Sequence, residues 1–117
     1  MVGCQESLQD RAEREAREYT KKNCPRVINQ MMVLDSTAFD KATSTFFHYY
    51  TISGAADDRE HIEKIKKEMR EGLIKELHEN TTNIIFKKAG FSYRYVMFSK
   101  NDGSVLYDTT LKKEDYQ

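Results

Sequence analysis

An apolar stripe at helical spacing lies in the middle of this sequence and requires a long helix with a surface to cover. The stripe consists of Ile62, Ile65, Met69, Leu73 and Leu77. These residues recur every three or four positions, which is the period of one face of an α-helix. Asp57, followed three residues later by Glu60, forms a capping-box pattern at the N-terminus of this helix. We therefore predict a helix near residues 58–78.

Segments rich in β-branched and aromatic residues flank this helix and predict the sheet that it covers. Residues 27–39 and 43–53 precede the helix, and residues 91–99 and 105–111 follow it. Residues 80–90 favour a short helical turn that ends at Gly90, and Asn101-Asp102-Gly103 favours a hairpin turn. The sequence thus predicts an α+β domain in the order α-β-β-α-β-β. Its sheet is four-stranded and mainly antiparallel, and one long helix packs on it.

The N-terminal segment differs in composition from the rest of the 117-residue chain. Residues 6–22 are mostly polar, with a narrow apolar stripe at helical spacing, and Ser7 and Pro25 mark the start and the end of a helix. The aromatic residues lie almost entirely after residue 38. We therefore predict that residues 1–23 form a polar helix or stalk outside the core, and that residues 24–117 form a single α+β domain.

The charge balance argues against a nucleic-acid partner. Nineteen basic and nineteen acidic residues cancel, so no global positive field attracts a polyanion. Neither glycine-rich nucleotide-binding motif occurs, and the two cysteines and three histidines lack metal-ligand spacing. We therefore predict no cofactor and no metal.

Cys24 and His48 are the only pair that suggests catalysis. Cys24 follows the predicted first helix, where the negative end of the helix dipole disfavours a thiolate. His48 lies among aromatic residues on a predicted strand, where a packed histidine is more common than a catalytic base. We therefore predict that the protein is not an enzyme, with a thiol enzyme built on Cys24 and His48 as the alternative.

The opening residues Met1-Val2-Gly3-Cys4 resemble the end of a bacterial lipoprotein signal, in which lipid is attached to the cysteine. Cys4 is then the lipid attachment site. The alternative is a cytosolic N-terminus in which Gly-Cys occurs by chance. In an exported chain Cys4 could instead form a disulfide with Cys24, which a lipid on Cys4 would exclude.

A succession of short motifs carries a family resemblance. The motifs are Cys24-Pro25, Leu34-Asp35-Ser36, the aromatic residues within 45–52, the segment 90–95 and the turn at Asp102-Gly103. Over residues 23–116 this order resembles small bacterial lipoproteins and secreted domains of unknown function. The resemblance implies an architecture and a location in the cell envelope, and it favours the lipid anchor at Cys4. It implies no catalytic residues.

The surplus of aromatic residues suggests a binding surface on the sheet. One amphipathic helix covers one face of a four-stranded sheet, so we expect Phe47, Tyr49, Tyr93 and Tyr95 to form a partner-binding face on the other. The prediction is a non-catalytic, envelope-associated domain that binds a protein, a peptide or a second copy of itself as a homodimer. The alternatives are that residues 6–22 and 80–90 bury these rings, or that the chain is a cytosolic regulatory protein.

Overall fold

The computed structural model describes residues 6–117, in which the elements follow the order α-β-β-β-α-α-β-β-α. The elements are α1 (Leu8–Asn23), β1 (Arg26–Asn29), β2 (Met32–Asp40), β3 (Thr45–Ile52), α2 (Arg59–Glu79), α3 (Ile84–Lys88), β4 (Ser92–Ser99), β5 (Val105–Leu111) and α4 (Lys113–Tyr116). A short 3-10 helix at Gly54–Ala56 connects β3 to α2.

The strands form one mixed sheet in the order β1-β2-β3-β4-β5. Strands β3 and β4 pair in parallel, and the other neighbouring pairs are antiparallel. The α+β class is confirmed. The predicted four strands, element order and single covering helix are wrong in detail, because the sheet has a fifth strand and helices of 16 and 21 residues pack on it. The parallel pair arises because the connection through α2 carries the chain back before β4 begins.

A tight turn divides the predicted strand 27–39 into β1 and β2. The side-chain oxygen of Asn29 accepts a hydrogen bond from the backbone N–H of Met31 at 2.8 Å, a local contact that favours a turn over a continuous strand. Neither Gly nor Pro marks this turn in the sequence, so the apolar pattern concealed it.

Helix α1 belongs to the core. Its predicted ends are confirmed: the Ser7 side chain accepts a hydrogen bond from the backbone N–H of Asp10, and the helix ends at Asn23. Ala12 and Ala16 are buried in the main apolar cluster. Small side chains allow a helix to approach a sheet closely, so the expectation that this segment lies outside the core is wrong.

Hydrogen bonds between α1 and β2 fix the helix on the sheet. The hydroxyl of Thr20 donates to the carbonyl oxygen of Thr37 at 2.9 Å and accepts from its backbone N–H at 2.7 Å. The hydroxyl of Thr37 donates to the carbonyl oxygen of Ala16 at 2.8 Å. These bonds satisfy polar groups that the contact would otherwise leave without water.

Helix α2 packs through the predicted stripe. Ile62 and Leu77 are buried, and Ile65, Met69 and Leu73 are partly buried against the same clusters. The N-cap is Asp58, whose side chain accepts from the backbone N–H groups of Glu60 and His61. The predicted cap, Asp57, instead accepts a hydrogen bond from the backbone N–H of Asn101 at 3.0 Å.

One row of paired residues across β2, β3, β4 and β5 carries the main core. The row consists of Phe39, Phe46, Tyr93 and Leu111, each paired with the next. Cross-strand partners point to the same side of a sheet. The cluster around this row also contains Ala12, Ala16, Leu77, Phe86 and Tyr116, which come from α1, α2, α3 and α4. The helices within residues 6–117 therefore all pack on one face.

The sheet has one edge that side chains cover and one that they leave open. On β5, the carbonyl oxygen of Val105 accepts a hydrogen bond from Arg59 at 3.1 Å, and that of Thr110 accepts from Arg70 at 3.3 Å. Both arginines belong to α2. On β1, all four residues are exposed, and no side chain of the described chain bonds to their backbone. β1 pairs with β2 on one side only, so its outer edge is open to an added strand.

Candidate functional site

A cleft of about 600 Å³ lies between α1 and the C-terminal half of α2, above the sheet. Its floor is aromatic and consists of Phe46, His48, Tyr50, Tyr93 and Tyr95. Helix α1 contributes Glu15 and Tyr19 to one wall, and α2 contributes Glu76 to the other. The loop after α2 and strand β1 complete the rim. The volume is that of an ordinary ligand pocket.

His48 lies on the cleft floor as a neutral ring. Its ring stacks on that of Tyr95 with 4.9 Å between centroids, and its Nδ1 atom is buried without a hydrogen-bond partner among the described residues. Burial lowers the pKa of His48 to about 4, against the opposing effect of a hydrogen bond to the backbone of Arg94. The ring is therefore uncharged at neutral pH.

Tyr93 presents a second polar atom without a partner. Its side chain is 1% exposed, and its hydroxyl makes no hydrogen bond within residues 6–117. Burial raises the pKa of this phenol. The neighbouring Tyr116 is also buried, yet its hydroxyl donates to the carbonyl oxygen of Phe91 at 2.7 Å. Buried polar atoms usually find partners, so two such atoms on adjacent floor residues distinguish this place from the rest of the core.

The walls of the cleft carry acidic groups. The carboxylate of Glu15 pairs with Arg11 at 2.6 Å, whereas no ion pair within residues 6–117 involves Glu76. Burial is the main cause that raises the pKa values of Tyr50 and Tyr95, and the negative charge of Glu76 raises them further. Glu76 therefore lies close enough to the floor to act on its hydroxyl groups.

Apolar side chains at the rim remain exposed. Val27 and Ile28 on β1 line the cleft and are 72% and 46% exposed. Ile84 and Ile85 on α3 are also exposed, and they lie in the sequence between the lining residues Asn83 and Phe86. An apolar rim around an aromatic floor is typical of a surface that binds a protein segment or an apolar ligand.

The four predicted partner-binding residues do not form one surface. Tyr93 and Tyr95 lie on the helix-covered face, as floor residues of the cleft, and both are buried. Phe47 and Tyr49 lie on the opposite face, because their neighbours Phe46 and His48 pair with Tyr93 and Tyr95 in register. The expected composite face does not form, because Tyr93 and Tyr95 are buried on one side while Phe47 and Tyr49 remain partly exposed on the other.

Phe47 and Tyr49 form a smaller aromatic group on the uncovered face. Their rings stack with centroids 5.9 Å apart, and the guanidinium of Arg94 lies 5.4 Å from the centre of the Phe47 ring. Arg94 also pairs with Asp108 through two hydrogen bonds of 2.9 and 2.6 Å. Arg94 and Asp108 therefore neutralise each other on this face.

Cys24 and His48 do not meet in the cleft. His48 belongs to the floor, whereas Cys24 is not among the residues that line the cleft. Burial raises the pKa of the Cys24 thiol, and a hydrogen bond with Thr20 only partly opposes this shift. The thiol is therefore protonated at neutral pH, which disfavours a nucleophile.

Further expectations from the sequence concern a lipid, a metal and a membrane-spanning helix. Cys4, the predicted lipid attachment site, lies outside the described residues, as does any bond that it makes. Within residues 6–117 no group of three or more His, Cys, Asp or Glu side chains is arranged to hold a metal ion. In the same range, no helix has the length and apolar content needed to cross a bilayer.

The sequence contained a partial signal for the cleft. Three floor residues occupy every second position of the predicted strand, which places them on one side of β3. They are Phe46, His48 and Tyr50. Glu76 carried no such signal, because it lies on the polar side of the predicted helix. Its role at the wall depends on the distance between α1 and α2, which no local pattern encodes.

Comparison with known proteins relates the chain to a domain family and to a shared fold. Residues 7–107 match the domain of unknown function DUF8479. A Pseudomonas aeruginosa protein predicted to be secreted superposes with a TM-score of 0.75 and 13% identity, over 95% of this chain and 98% of its own. The predicted resemblance to a small bacterial domain of unknown function is confirmed. No protein with a curated description matches the sequence.

Two further solved structures share the fold. The type II secretion system pilotin AspS from Vibrio cholerae has a TM-score of 0.63 and 15% identity, over 92% of this chain and 91% of its own. The type 2 secretion system pilotin EpsS from Vibrio vulnificus has a TM-score of 0.63 and 11% identity, over 94% of this chain and 92% of its own. At these identities the likeness shows the fold alone.

Proposed function

The chain belongs to the DUF8479 domain family, and from that premise we propose that it is a non-catalytic, envelope-associated protein whose cleft binds a segment of a protein partner. The similar folds belong to a protein predicted to be secreted and to two secretion-system pilotins. Their descriptions as secreted or secretion-system proteins support a location in the envelope.

The cleft is the observation that carries this proposal. It combines an aromatic floor, an exposed apolar rim at Val27 and Ile28, and two buried polar atoms, on His48 and Tyr93, that have no partner within residues 6–117. Exposed apolar side chains cost free energy in water, and a bound apolar segment offsets that cost. The partner-binding role predicted for the sheet therefore belongs, in this proposal, to the helix-covered floor residues Tyr93 and Tyr95 and not to Phe47 and Tyr49.

The competing thiol enzyme lacks an assembled nucleophile and base. Catalysis by a cysteine requires a thiolate and usually a base within hydrogen-bond reach. Burial raises the pKa of Cys24, and the side chain does not line the cleft that contains His48. These observations favour a packed thiol.

We further propose that Cys4 carries a lipid that holds the protein on a membrane. The proposal rests on the Val2-Gly3-Cys4 sequence and on the secretion-system pilotins that share the fold. Mass spectrometry of the native protein tests this: a lipid-modified Cys4 in the membrane fraction supports the anchor. An unmodified Cys4 in a cytosolic pool contradicts it.

Site-specific photo-crosslinking in the native host tests the cleft. A photoreactive amino acid replaces Thr82, an exposed residue of the rim, and in a separate variant Lys67, an exposed α2 residue that does not line the cleft. We expect a cross-linked adduct from position 82 and none from position 67. The adduct from position 82 should also disappear when Val27 is replaced by Asp, which makes the rim polar.

The result that contradicts the proposal is an adduct from position 67 alone, or adducts from both positions that the Val27→Asp change leaves intact. An adduct of twice the mass of the chain identifies the partner as a second copy. Sedimentation of the purified protein then checks whether the dimer forms in solution.

A further inference from the structure

The unpaired carboxylate of Glu76 lies at the wall of the cleft, beside its aromatic floor. The other charged groups near the cleft have partners. Glu15 pairs with Arg11 at 2.6 Å, and the guanidinium of Arg26 donates to the hydroxyl of Tyr19 at 2.7 Å. The ammonium of Lys87 donates to carbonyl oxygens at the C-terminus of α2, including that of Leu77. Arg26 also lines the cleft, but its partner is a neutral hydroxyl, and no ion pair within residues 6–117 joins it or Lys87 to Glu76.

The floor provides aromatic rings next to this carboxylate. Tyr50, Tyr95 and Glu76 line the same cleft, and the rings of His48 and Tyr95 stack. An aromatic ring attracts a cation through its π-electrons, and the attraction grows as the site is shielded from water. A carboxylate beside several rings is thus suited to a positively charged group on an apolar stem.

Two buried polar atoms give an independent indication that the floor lacks a ligand group. Tyr93 is 1% exposed, and neither its hydroxyl nor Nδ1 of His48 has a hydrogen-bond partner among the described residues. A neutral histidine ring has one nitrogen that donates and one that accepts a hydrogen bond. In the tautomer with its proton on Nε2, Nδ1 is an acceptor that a donor can satisfy. An ammonium or guanidinium group brings donors only.

We propose that the cleft selects a basic side chain of the partner segment, with the cationic group between Glu76 and the aromatic floor and the aliphatic stem against the apolar rim. This inference rests on the proposed function of the cleft and specifies the chemistry of what enters it. It predicts a partner segment that combines apolar residues with a lysine or an arginine, and it disfavours a segment that places a carboxylate there.

Three matched probes test this preference on the full chain. The probes 4-phenylbutylamine, 4-phenylbutanol and 4-phenylbutyrate share one apolar body and differ in charge. Titrations followed by NMR signals of the His48 and Tyr95 rings give the affinity of each probe at pH 7. We expect the amine to bind at least about fivefold more tightly than the carboxylate, in line with one exposed charge contact and one cation–π contact.

Two variants locate the preference. Glu76→Gln should reduce the affinity for the amine about threefold or more and leave the affinity for the alcohol unchanged. Glu79→Gln is the matched control, because it removes the same charge from the same helix at an exposed residue that does not line the cleft. It should leave all three affinities unchanged.

Equal affinities, or a preference for the carboxylate, overturn the inference and leave the proposed function to the cross-linking result. The same loss in Glu79→Gln as in Glu76→Gln also overturns it, because the preference then reflects overall charge. If no probe shifts the ring signals of the cleft, the inference is wrong. An adduct at position 82 in the cross-linking experiment would still support the proposed function.

Discussion

Replacing Tyr93 by Phe should stabilise the protein, although Tyr93 lies in the centre of the core. Its hydroxyl is buried and has no partner within the described residues, so folding removes it from water without replacing the lost hydrogen bonds. That loss costs about 1–3 kcal/mol. Phenylalanine removes the cost and keeps the stacking on Phe46, whose ring centre is 5.2 Å away. We expect a gain of about 1 kcal/mol, which raises Tm by roughly 3–6 °C for a domain of this size.

Tyr116→Phe provides the matched control. Tyr116 is also buried, and its ring meets that of Tyr93 edge-on at 5.7 Å, but its hydroxyl donates to the carbonyl oxygen of Phe91 at 2.7 Å. Its removal should cost about 1 kcal/mol. Urea unfolding followed by circular dichroism measures both variants. If Tyr93→Phe destabilises the protein as much as Tyr116→Phe, its hydroxyl has a partner and the reasoning is refuted.

Three further predictions concern packing, pH and thiol reactivity. Leu77→Ala should lower the free energy of unfolding, measured in urea, by about 2–5 kcal/mol. Gly72→Ala should instead raise it by about 0.5–1 kcal/mol, because no atom lies within 4 Å of the added carbon. Equal losses of stability in the two variants would contradict the packing of α2. Because the pKa of His48 is lowered to about 4 in the folded state, its contribution to stability is complete above pH 6.5 and is lost as pH falls toward 4; an NMR titration in which the ring takes up its proton near pH 6.5 would disprove this. Cys24 should react with iodoacetamide at pH 7 more slowly than free cysteine, because burial raises its pKa; faster alkylation would revive the thiol enzyme.

The sequence predicted elements whose signals are local. The stripe from Ile62 to Leu77 located α2 and its buried face, since helical spacing alone determines which residues share a side. Ser7 and Pro25 marked the ends of α1 for similar reasons. A serine caps backbone N–H groups of the first turn, and a proline prevents the helix from continuing. The turn at residues 101–103 was equally clear.

The sequence could not predict features that depend on distant contacts. The parallel pairing of β3 with β4 follows from the path of the chain through α2, and this pairing separates Phe47 and Tyr49 from Tyr93 and Tyr95. The burial of Ala12 depends on how closely α1 approaches β2, which its low apolar content did not suggest. The cleft depends on the distance between α1 and α2, so no sequence motif predicted that Glu76 would lie at its wall.

The two arginines that bond to the carbonyl oxygens of β5 limit how copies of this domain can join through their sheets. A filament grows when one edge strand of each copy adds to the opposite edge of the next, so it needs both edges free. Arg59 and Arg70 occupy two carbonyl acceptors of β5, whereas no side chain within residues 6–117 bonds to the backbone of β1. Edge pairing between copies is therefore favoured at β1, and a β1-to-β1 contact terminates at two molecules, which disfavours polymers.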